Sequence, residues 1–389
     1  MWQKNVRYLD YNASSGVSPY VRDQLVALLK NEEVFLANPS SRHRLGQKMQ
    51  HFLYDSARVI ANSLGGTVSP DELIFTASGT EANQTVIRSM EKDVEGMIIG
   101  AGEHSASHDL LPLLGLSFVH ELPLLREGSY DLQHLNHLLS LAKESGLRKI
   151  GLSLFWANNE TGALNHLAAL KSVIQASGLE VILHLDGAQV WGKLTLNVAD
   201  TPAQFVTFSS HKIGAPAGVG VIWKRAGTSL HPLILGSQSR GMRGGTENLI
   251  GILATRFACE KMKPMEFQLC TRPLQIRLEA GLIALNPDIE IWGWQDARLT
   301  NTTRFSFKNF SSYENWVELL DLKGFAVSHG SACKARVVEP SRVLLKMGAT
   351  RESALNSVRV SFGPSNTEKE VDDLLEALKE ILVKKGVTQ

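Results

Sequence analysis

Three positions of the sequence have side chains that could do chemistry together, and each follows an apolar run. Lys212 closes Phe208-Ser-Ser-His-Lys212, Asp186 closes the run VILHLD, and Ser78-Gly79-Thr80 separates Glu72-Leu-Ile-Phe-Thr76 from a helical pattern. Ligands of open α/β sheets bind at the carboxyl ends of strands, so these positions can meet at one edge. Each alone has an ordinary explanation, namely a helix cap, a turn cap and a solvated loop lysine.

An amine, a carboxylate and a phosphate-binding helix start are together what pyridoxal phosphate requires of a protein. Lys212 would bond to the aldehyde of the cofactor, and Asp186 would pair with its protonated ring nitrogen. The backbone N–H groups at Gly79 and the hydroxyl of Thr80 would hold the phosphate. A lysine in this role needs the lowered pKa that desolvation gives to an amine. The sequence therefore predicts a site for pyridoxal 5'-phosphate.

Composition excludes several other classes of function. The 389 residues are 43% hydrophobic and 20% charged with a net charge of +1, which favours a globular protein without a general affinity for nucleic acid or an anionic membrane. No G-x-G-x-x-G opens a helix after a strand, and no G-x-x-x-x-G-K-[ST] occurs. The start, MWQKNVRYLDYN, lacks the apolar core of a signal peptide, and no apolar run reaches spanning length, which predicts a cytoplasmic protein.

The cysteines and histidines predict neither a disulfide framework nor a metal site. The three cysteines have no C-x-x-C spacing. Cys259 and Cys270 lie in helical patterns where burial is the default, whereas Cys333 follows a Gly330-Ser-Ala loop. His104 and His108 form an i, i+4 pair, but no H-E-x-x-H motif surrounds them.

The elements that must position these residues alternate between helix and strand from about residue 18 to residue 262. Ser18-Pro19 and Ser78 are helix starts, and Gly65-Gly66 ends a helix that begins near Ser41. Short apolar runs are predicted strands at 72–76, near 97, and from 150, 181, 205 and 219. Because these runs are poorly alternating and separated by helices, we expect parallel strands covered on both faces. The fold class is a three-layer α/β fold.

The pattern changes after Met262, where a long amphipathic helix precedes further strands and a last helix. Strands are predicted near IEIWG, TTRFSF, FAVSHG and SVRVSF, and the Thr367-Glu-Lys-Glu370 spacing is that of a capping box. We therefore predict a large cofactor-binding α/β domain at 16–262 and a small α+β domain formed by 1–15 and 263–389.

Eight ordered motifs make the sequence resemble a known family almost from end to end. They lie between Tyr8-Leu-Asp-Tyr11 and Val358-Arg-Val-Ser-Phe-Gly363. They are Asn38-Pro-Ser-Ser41 with His43, Phe75-Thr-Ala-Ser-Gly-Thr-Glu81, Glu103-His104, Asn158-Asn-Glu-Thr-Gly162, His184-Leu-Asp-Gly-Ala-Gln189, Ser209-Ser-His-Lys212, Arg240-Gly-Met-Arg-Gly-Gly-Thr246 and Gly330-Ser-Ala-Cys333. The family is that of the NifS/IscS-type cysteine desulfurases, a class V branch of the fold-type-I pyridoxal-phosphate enzymes.

The resemblance implies a role for each matching residue. Lys212 is the cofactor-bound lysine, Asp186 pairs with the ring nitrogen, His104 stacks on the ring, and Asn159 and Gln189 contact its O3' region. Phosphate ligands are Gly79, Thr80, Ser209 and His211, with Thr246 supplied by the second subunit of a homodimer. Arg359 and Asn38 are expected to bind the carboxylate of the substrate, for which a guanidinium fork is suited.

Cys333 decides the reaction that the resemblance implies. Its thiolate would take the sulfur of L-cysteine as a persulfide and leave L-alanine, with Lys212 as general base and His104 assisting proton transfer. Lys334 and Arg336 would help by lowering the pKa of the thiol. A class V aminotransferase or a selenocysteine lyase would use the same cofactor site without needing Cys333. A non-catalytic partner protein that retained the fold is the remaining alternative.

The same resemblance implies the partners, which are L-cysteine, a second copy of the chain and a sulfur acceptor. That acceptor is either an iron–sulfur scaffold or a relay for tRNA thiolation; neither direct nucleic-acid binding nor membrane binding is expected. The sequence departs from the family pattern at Ser210, Ser239 and Lys334-Ala-Arg336, where other residue types are commoner. None of these departures falls on a residue predicted to contact the cofactor.

Overall fold

A computed structural model describes residues 6–31, 37–294, 297–307, 315–329 and 339–384. Cys333 and the neighbouring Lys334 and Arg336 lie outside the described residues, so their predicted roles remain predictions. Among the described helices, none combines the length and the apolar character that a membrane crossing requires.

Every strand that the sequence predicts is present among the described residues, and two further strands, at 7–8 and 118–122, were not predicted. The strands are β1 (Arg7–Tyr8), β2 (Leu73–Thr76), β3 (Gly96–Gly100), β4 (Phe118–Leu122), β5 (Lys149–Phe155), β6 (Glu180–Asp186), β7 (Phe205–Ser209), β8 (Gly220–Lys224), β9 (Ile289–Trp292), β10 (Thr302–Phe307), β11 (Phe325–Ala326) and β12 (Ser357–Ser361). The α-helices are α1 (Pro19–Lys30), α2 (Arg44–Leu64), α3 (Gly79–Glu91), α4 (Ser105–His108), α5 (Leu132–Glu144), α6 (Leu167–Ser177), α7 (Leu249–Glu260), α8 (Pro264–Leu285), α9 (Trp316–Asp321), α10 (Arg342–Lys346), α11 (Arg351–Leu355) and α12 (Glu368–Lys384).

The central sheet has seven strands in the order β2-β8-β7-β6-β5-β3-β4. The strands β3 to β7 pair in parallel, whereas β8 is antiparallel to both β7 and β2. The expectation of an all-parallel sheet is therefore wrong at this edge. The physical reason is the short connection between β7 and β8, which is too short for the helical crossover that a parallel pair needs. The three-layer α/β class is confirmed by the solved neighbours described below.

Local capping explains where the helices around the sheet begin. The Ser18 hydroxyl accepts from the Val21 N–H at the start of α1, and the Ser78 hydroxyl accepts from the Glu81 N–H at the start of α3. Gly65, with φ of 143°, ends α2. These three predictions are confirmed, and the start of α3 directly after β2 puts free N–H groups at the strand end.

A second, three-stranded sheet in the order β12-β10-β9 packs against α8 and α12. Its buried side chains form a hydrophobic cluster that also includes Leu9 from the N-terminal segment. The predicted capping box is present, since the Thr367 N–H donates to Glu370 at 2.8 Å and the Glu370 N–H donates to the Thr367 hydroxyl at 3.3 Å. The exact division at residue 262 stays a prediction.

The two cysteines of the described residues differ in environment. Cys259 is buried on α7, and its burial raises the pKa of the thiol to about 12, as expected of a small hydrophobic side chain. Cys270 on α8 is exposed, so the prediction of burial there is wrong. The helix α8 packs on one face only, and periodicity alone did not assign Cys270 to its solvent face.

Candidate active site

Lys212 and Asp186 follow neighbouring strands of the central sheet. Asp186 is the last residue of β6, and it lies opposite Thr207 of β7 in the parallel register. The chain leaves β7 at Ser209 and makes one 3₁₀ turn, which ends at Lys212. Adjacent strands lie about 4.8 Å apart, so the amine and the carboxylate are held at one edge of the sheet.

The Lys212 amine is desolvated and lies among polar backbone groups. Its Nζ donates to the carbonyl oxygens of Asn12 and, at 2.8 Å, of Ala13. Burial, followed by the charge of Arg359, lowers the pKa of Lys212 to about 8, while Asp186 opposes this shift. An amine with a pKa near 8 is partly uncharged close to neutral pH and can act as a nucleophile or a base.

The Asp186 carboxylate is held by two donors. Asn83 Nδ2 donates to Oδ2 at 2.7 Å, and the Ala188 N–H donates to Oδ1 at 2.9 Å. The second contact is the turn cap that the sequence allowed as a bland alternative. The first contact comes from α3, through an asparagine that sequence reasoning missed.

The start of α3 and the end of β7 approach each other closely. A Cβ atom at Gly79 would lie 3.1 Å from the Cβ of Ser209, so only glycine fits here without displacing its neighbour. Thr80 is exposed, Ser209 is buried, and burial lowers the pKa of His211 to about 4. The structure thus brings together four of the residues predicted to bind phosphate.

His104 begins the short helix α4, where its Nδ1 accepts from the Ala106 N–H at 3.1 Å. Desolvation lowers the pKa of His104 although its side chain keeps an exposed surface, and Asp186 opposes the shift. Because Nδ1 is an acceptor in the neutral ring, the proton is on Nε2. His104 is therefore both the helix cap of the bland interpretation and a neutral donor within the electrostatic reach of Asp186.

Asn12 joins the two sheets at the site. Its Nδ2 donates to the Thr302 hydroxyl at 2.8 Å and to the Asn159 carbonyl at 3.1 Å. Its own carbonyl accepts from Gln189 Nε2 at 3.0 Å, beside the bond from Lys212. Gln189 and Asn159 are thereby held near the amine, and their predicted contact with the O3' region of the ring stays a prediction.

A second lysine, Lys193, lies in the same cluster and was missed by sequence reasoning. It is buried, and its Nζ donates to Asn12 Oδ1 at 2.6 Å and to Gln189 Oε1 at 2.8 Å. Desolvation and the charge of Lys212 hold the pKa of Lys193 well below its usual range. No helical spacing signals this contact, since residues 188–193 form turns in which Gly192 has a φ of 77°.

Arg359 on β12 is buried and faces the cluster from the second sheet. It donates to Asp10 Oδ1 at 2.7 Å and to the Asn159 carbonyl at 3.0 Å. Asp10 supplies a carboxylate to this guanidinium within the folded chain. Asn38 is exposed, and its Oδ1 accepts from the Ser40 N–H at 2.9 Å in its own turn.

Thr246 lies on an exposed loop between the 3₁₀ turn at 239–241 and α7, and the structure contains one chain. Its predicted contact with the phosphate of a second subunit stays a prediction. Within the described residues, no group of three or more His, Cys, Asp or Glu side chains could hold a metal ion.

The residues present fit pyridoxal phosphate. A desolvated amine, a carboxylate with two donors and a glycine-lined helix start lie together where the cofactor needs a covalent anchor, an acid partner and a phosphate cradle. A neutral histidine adds a ring-sized side chain beside the carboxylate.

The fold and the site together define a class of transferase in which a reactive lysine lies at the end of a strand. Comparison with known proteins identifies the family. The sequence matches the aminotransferase class-V family over residues 7–374, so the chain belongs to that family, among its NifS-type cysteine desulfurases. The cysteine desulfurase of Cereibacter sphaeroides is 33% identical over 383 residues, which cover 96% of this chain and 95% of the relative.

Two further relatives bear the NifS name. Cysteine desulfurase NifS of Azotobacter vinelandii is 32% identical over 383 residues, covering 96% of this chain and 92% of the relative. The solved NifS-like protein from Rickettsia africae superposes with a TM-score of 0.85 at 29% identity, covering 97% of this chain and 99% of that structure. These matches confirm both the resemblance and the fold class.

Proposed function

We propose that the chain is a pyridoxal-phosphate-dependent cysteine desulfurase, which converts L-cysteine to L-alanine and transfers the sulfur to Cys333. The observation that supports this most directly is the Lys212 amine, which burial brings to a pKa of about 8 beside the Asp186 carboxylate. The names of the relatives support the choice of L-cysteine as substrate.

Pyridoxal phosphate, when bound, supplies an acceptor for the electrons of the bond broken at the substrate Cα. Lys212 would anchor it, and its amine would take the Cα proton of the substrate, because this amine is partly uncharged near neutral pH. Asp186 would hold the proton of the ring nitrogen, and the start of α3 with Ser209 and His211 would bind the phosphate.

His104 moves protons at the other side of the site. Its Nδ1 is occupied by the Ala106 N–H, so only Nε2 is available to the substrate. A neutral ring with a proton on Nε2 donates first and is then regenerated. Arg359 binds the substrate carboxylate in place of the Asp10 carboxylate. This exchange is possible because the guanidinium group can donate its hydrogen bonds to either carboxylate.

The sulfur step is a two-electron transfer between sulfur atoms. The Cys333 thiolate attacks the sulfur of the substrate, an S–S bond forms, and the Cβ–S bond breaks with its electron pair remaining on the substrate carbon. That carbon takes up a proton, so that L-cysteine and the thiol give L-alanine and a persulfide in balance. A second copy of the chain supplies Thr246 to the phosphate, and a sulfur-acceptor protein takes the persulfide sulfur.

The test is to measure L-alanine from L-cysteine with the purified holoenzyme, and to detect the persulfide by alkylation and mass spectrometry. Cys333→Ser is expected to abolish both products, whereas Cys270→Ser, the matched exposed cysteine of α8, retains them. Equal turnover of Cys333→Ser and the wild type would refute the persulfide step.

The same assay separates the alternatives. A keto acid that accumulates from an amino acid and an acceptor would indicate a class V aminotransferase. Release of selenium from L-selenocysteine, without turnover of L-cysteine and without need of Cys333, would indicate a selenocysteine lyase. A purified chain that binds no pyridoxal phosphate would indicate a non-catalytic partner protein.

A further inference from the structure

Behind Asp186, a line of polar side chains crosses the interior of the central sheet. Asn83 Nδ2 lies 2.7 Å from Asp186 Oδ2, and Asn83 Oδ1 accepts from the Thr207 hydroxyl. The Thr207 oxygen lies 2.9 Å from His184 Nε2, and His184 Nδ1 lies 2.9 Å from the Ser153 hydroxyl. We refer to Asn83, Thr207, His184 and Ser153 as the Asp186 hydrogen-bond chain.

The residues of the Asp186 hydrogen-bond chain come from three neighbouring strands and one helix. Ser153 on β5 lies opposite His184 on β6, and Thr207 on β7 lies opposite Asp186. His184 and Asp186 are two residues apart on β6, so both side chains point to the same face of the sheet. All four members of the chain are buried, with exposed fractions of 3% or less. Such polar side chains are costly in a sheet interior unless every group has a partner.

The direction of every bond follows from the Asp186 end. An ionised carboxylate only accepts, so the amide of Asn83 turns its nitrogen to Asp186 and its oxygen to Thr207. The Thr207 hydroxyl therefore donates its single proton to the hydrogen bond with Asn83, and the Thr207 oxygen accepts from His184 Nε2.

The same reasoning fixes the histidine. Burial lowers the pKa of His184 to about 4, so the ring is neutral near pH 7. With its proton on Nε2, Nδ1 must accept, and Ser153 therefore donates to it. Four hydrogen bonds are thus aligned, each with its proton toward Asp186.

We propose that the Asp186 hydrogen-bond chain is a positioning device, in which Asn83, Thr207, His184 and Ser153 keep the Asp186 carboxylate ionised and oriented toward the ring nitrogen of the cofactor. The inference rests on the proposed function, because it concerns the acid partner of the same site. Aligned hydrogen bonds polarise one another, so the last donor is stronger than an isolated amide. A carboxylate stabilised in this way leaves its proton on the ring nitrogen.

The uncharged side chains of the Asp186 hydrogen-bond chain are suited to holding the carboxylate, because charged groups already interact with Asp186. The Lys212 amine interacts with Asp186 through opposite charge, and the buried acid Glu103 interacts with it through like charge. Burial and then Asp186 hold the pKa of Glu103 well above its usual range. A cationic partner behind Asp186 would compete with the ring nitrogen, whereas an amide donor stabilises the carboxylate without doing so.

The experiment removes one donor and keeps the shape. Thr207→Val deletes the hydroxyl, and Thr207→Ser restores it. Thr255→Val is the control, because Thr255 is also buried and its hydroxyl donates within its own helix to the Gly251 carbonyl. Each holoenzyme is loaded with pyridoxal phosphate labelled with ¹⁵N in the ring, and the nitrogen resonance is recorded at neutral pH.

We expect the ring nitrogen of the wild type, Thr207→Ser and Thr255→Val to have the resonance of a protonated pyridinium. In Thr207→Val the resonance should move toward that of an unprotonated ring, and the dissociation constant of the cofactor should rise about tenfold, the usual effect of losing a hydrogen bond linked to a charge. An unchanged resonance with an unchanged dissociation constant in Thr207→Val overturns the proposal.

A second measurement covers a variant that does not fold and separates this proposal from the proposed function. The ¹⁵N spectrum of histidine-labelled apoprotein reports the tautomer of His184, identified by comparison with His184→Gln. The Asp186 hydrogen-bond chain requires the proton of His184 to be on Nε2. A proton on Nδ1, or a charged ring at neutral pH, contradicts the proposal whether or not the protein is active. A wild type that binds no pyridoxal phosphate but shows the Nε2–H tautomer refutes the assigned function and leaves the hydrogen-bond direction intact.

Discussion

The two sides of the site stabilise their central groups by opposite means. On the side of Asp186, two neutral donors, the amide of Asn83 on α3 and the Ala188 N–H, hold the carboxylate, and Thr207 in turn donates to Asn83. On the side of Lys212, basic groups lie close together, since Lys193 and Arg359 are in the same cluster as the amine. The surroundings of Asp186 favour a charged carboxylate, whereas the surroundings of Lys212 disfavour a charged amine.

This contrast follows from what each group must do. The acid has to stay ionised throughout a reaction, and dipoles that are fixed before the reaction serve that need without further reorganisation. The amine has to lose and regain a proton, so its charged form must not be too stable. Desolvation with a neighbouring cation provides this, and the lowered pKa of Lys212 is the result.

The largest expected effect comes from removing the amine itself. Lys212→Ala should lose the visible absorbance of lysine-bound pyridoxal phosphate and reduce L-alanine formation by about 10²- to 10⁴-fold or more. The control is Lys224→Ala, because Lys224 lies opposite Phe205 at the other end of the same strand pair. If Lys212→Ala retained this absorbance, Lys212 would not be the lysine that binds pyridoxal phosphate, and the contrast with Asp186 would not hold.

The next effect concerns the cation that faces the amine. Arg359→Met should raise the KM for L-cysteine about ten- to a hundredfold, the magnitude of a lost charged hydrogen bond, with a smaller change in kcat. Arg277→Met, which breaks an exposed pair with Asp372, is the matched control and should leave KM unchanged. A change in kcat alone would assign Arg359 to positioning through Asp10 instead.

Lys193→Met tests whether the second amine is a neutral donor. Loss of its bonds to Asn12 and Gln189 should lower the free energy of unfolding of the apoprotein by about 1–3 kcal/mol, measured by denaturant titration. The folded pKa of Lys193 lies below its ordinary value of 10.5, so between those two pH values the unfolded state binds the extra proton.

The stability that Lys193 contributes should therefore grow as pH rises toward 10.5. The gap between wild type and Lys193→Met is expected to widen over this range; Lys149→Met, which removes a half-buried strand-start lysine paired with Glu180, is the control. A gap that narrows with rising pH would mean that Lys193 is charged in the folded protein.

The smallest effect is a shift of a midpoint. The rate at which the apoprotein takes up pyridoxal phosphate should rise with pH through a midpoint near 8, because only the uncharged Lys212 amine reacts. In Arg359→Met the midpoint should move upward, since the charge of Arg359 lowers the pKa of the amine. A midpoint near 10.5 in the wild type would show that the amine is not desolvated.

Much of the local structure was determined by the sequence alone. Ser18, Ser78, Gly65 and the pair Thr367 and Glu370 predicted helix ends because capping depends on residues within one turn. The strand-end positions of Asp186 and Lys212 were predicted for a similar reason, since apolar runs and their boundaries are local features.

Only the tertiary structure decided which polar groups meet. Asn12 lies 200 residues from Lys212, and its carbonyl accepts a hydrogen bond from the Lys212 amine, while Asn83 reaches Asp186 from another layer of the fold. Such contacts depend on strand order and register, which no local pattern encodes. The sequence thus determined the reactive side chains, whereas their charge states depend on burial and on neighbours that folding alone brings together.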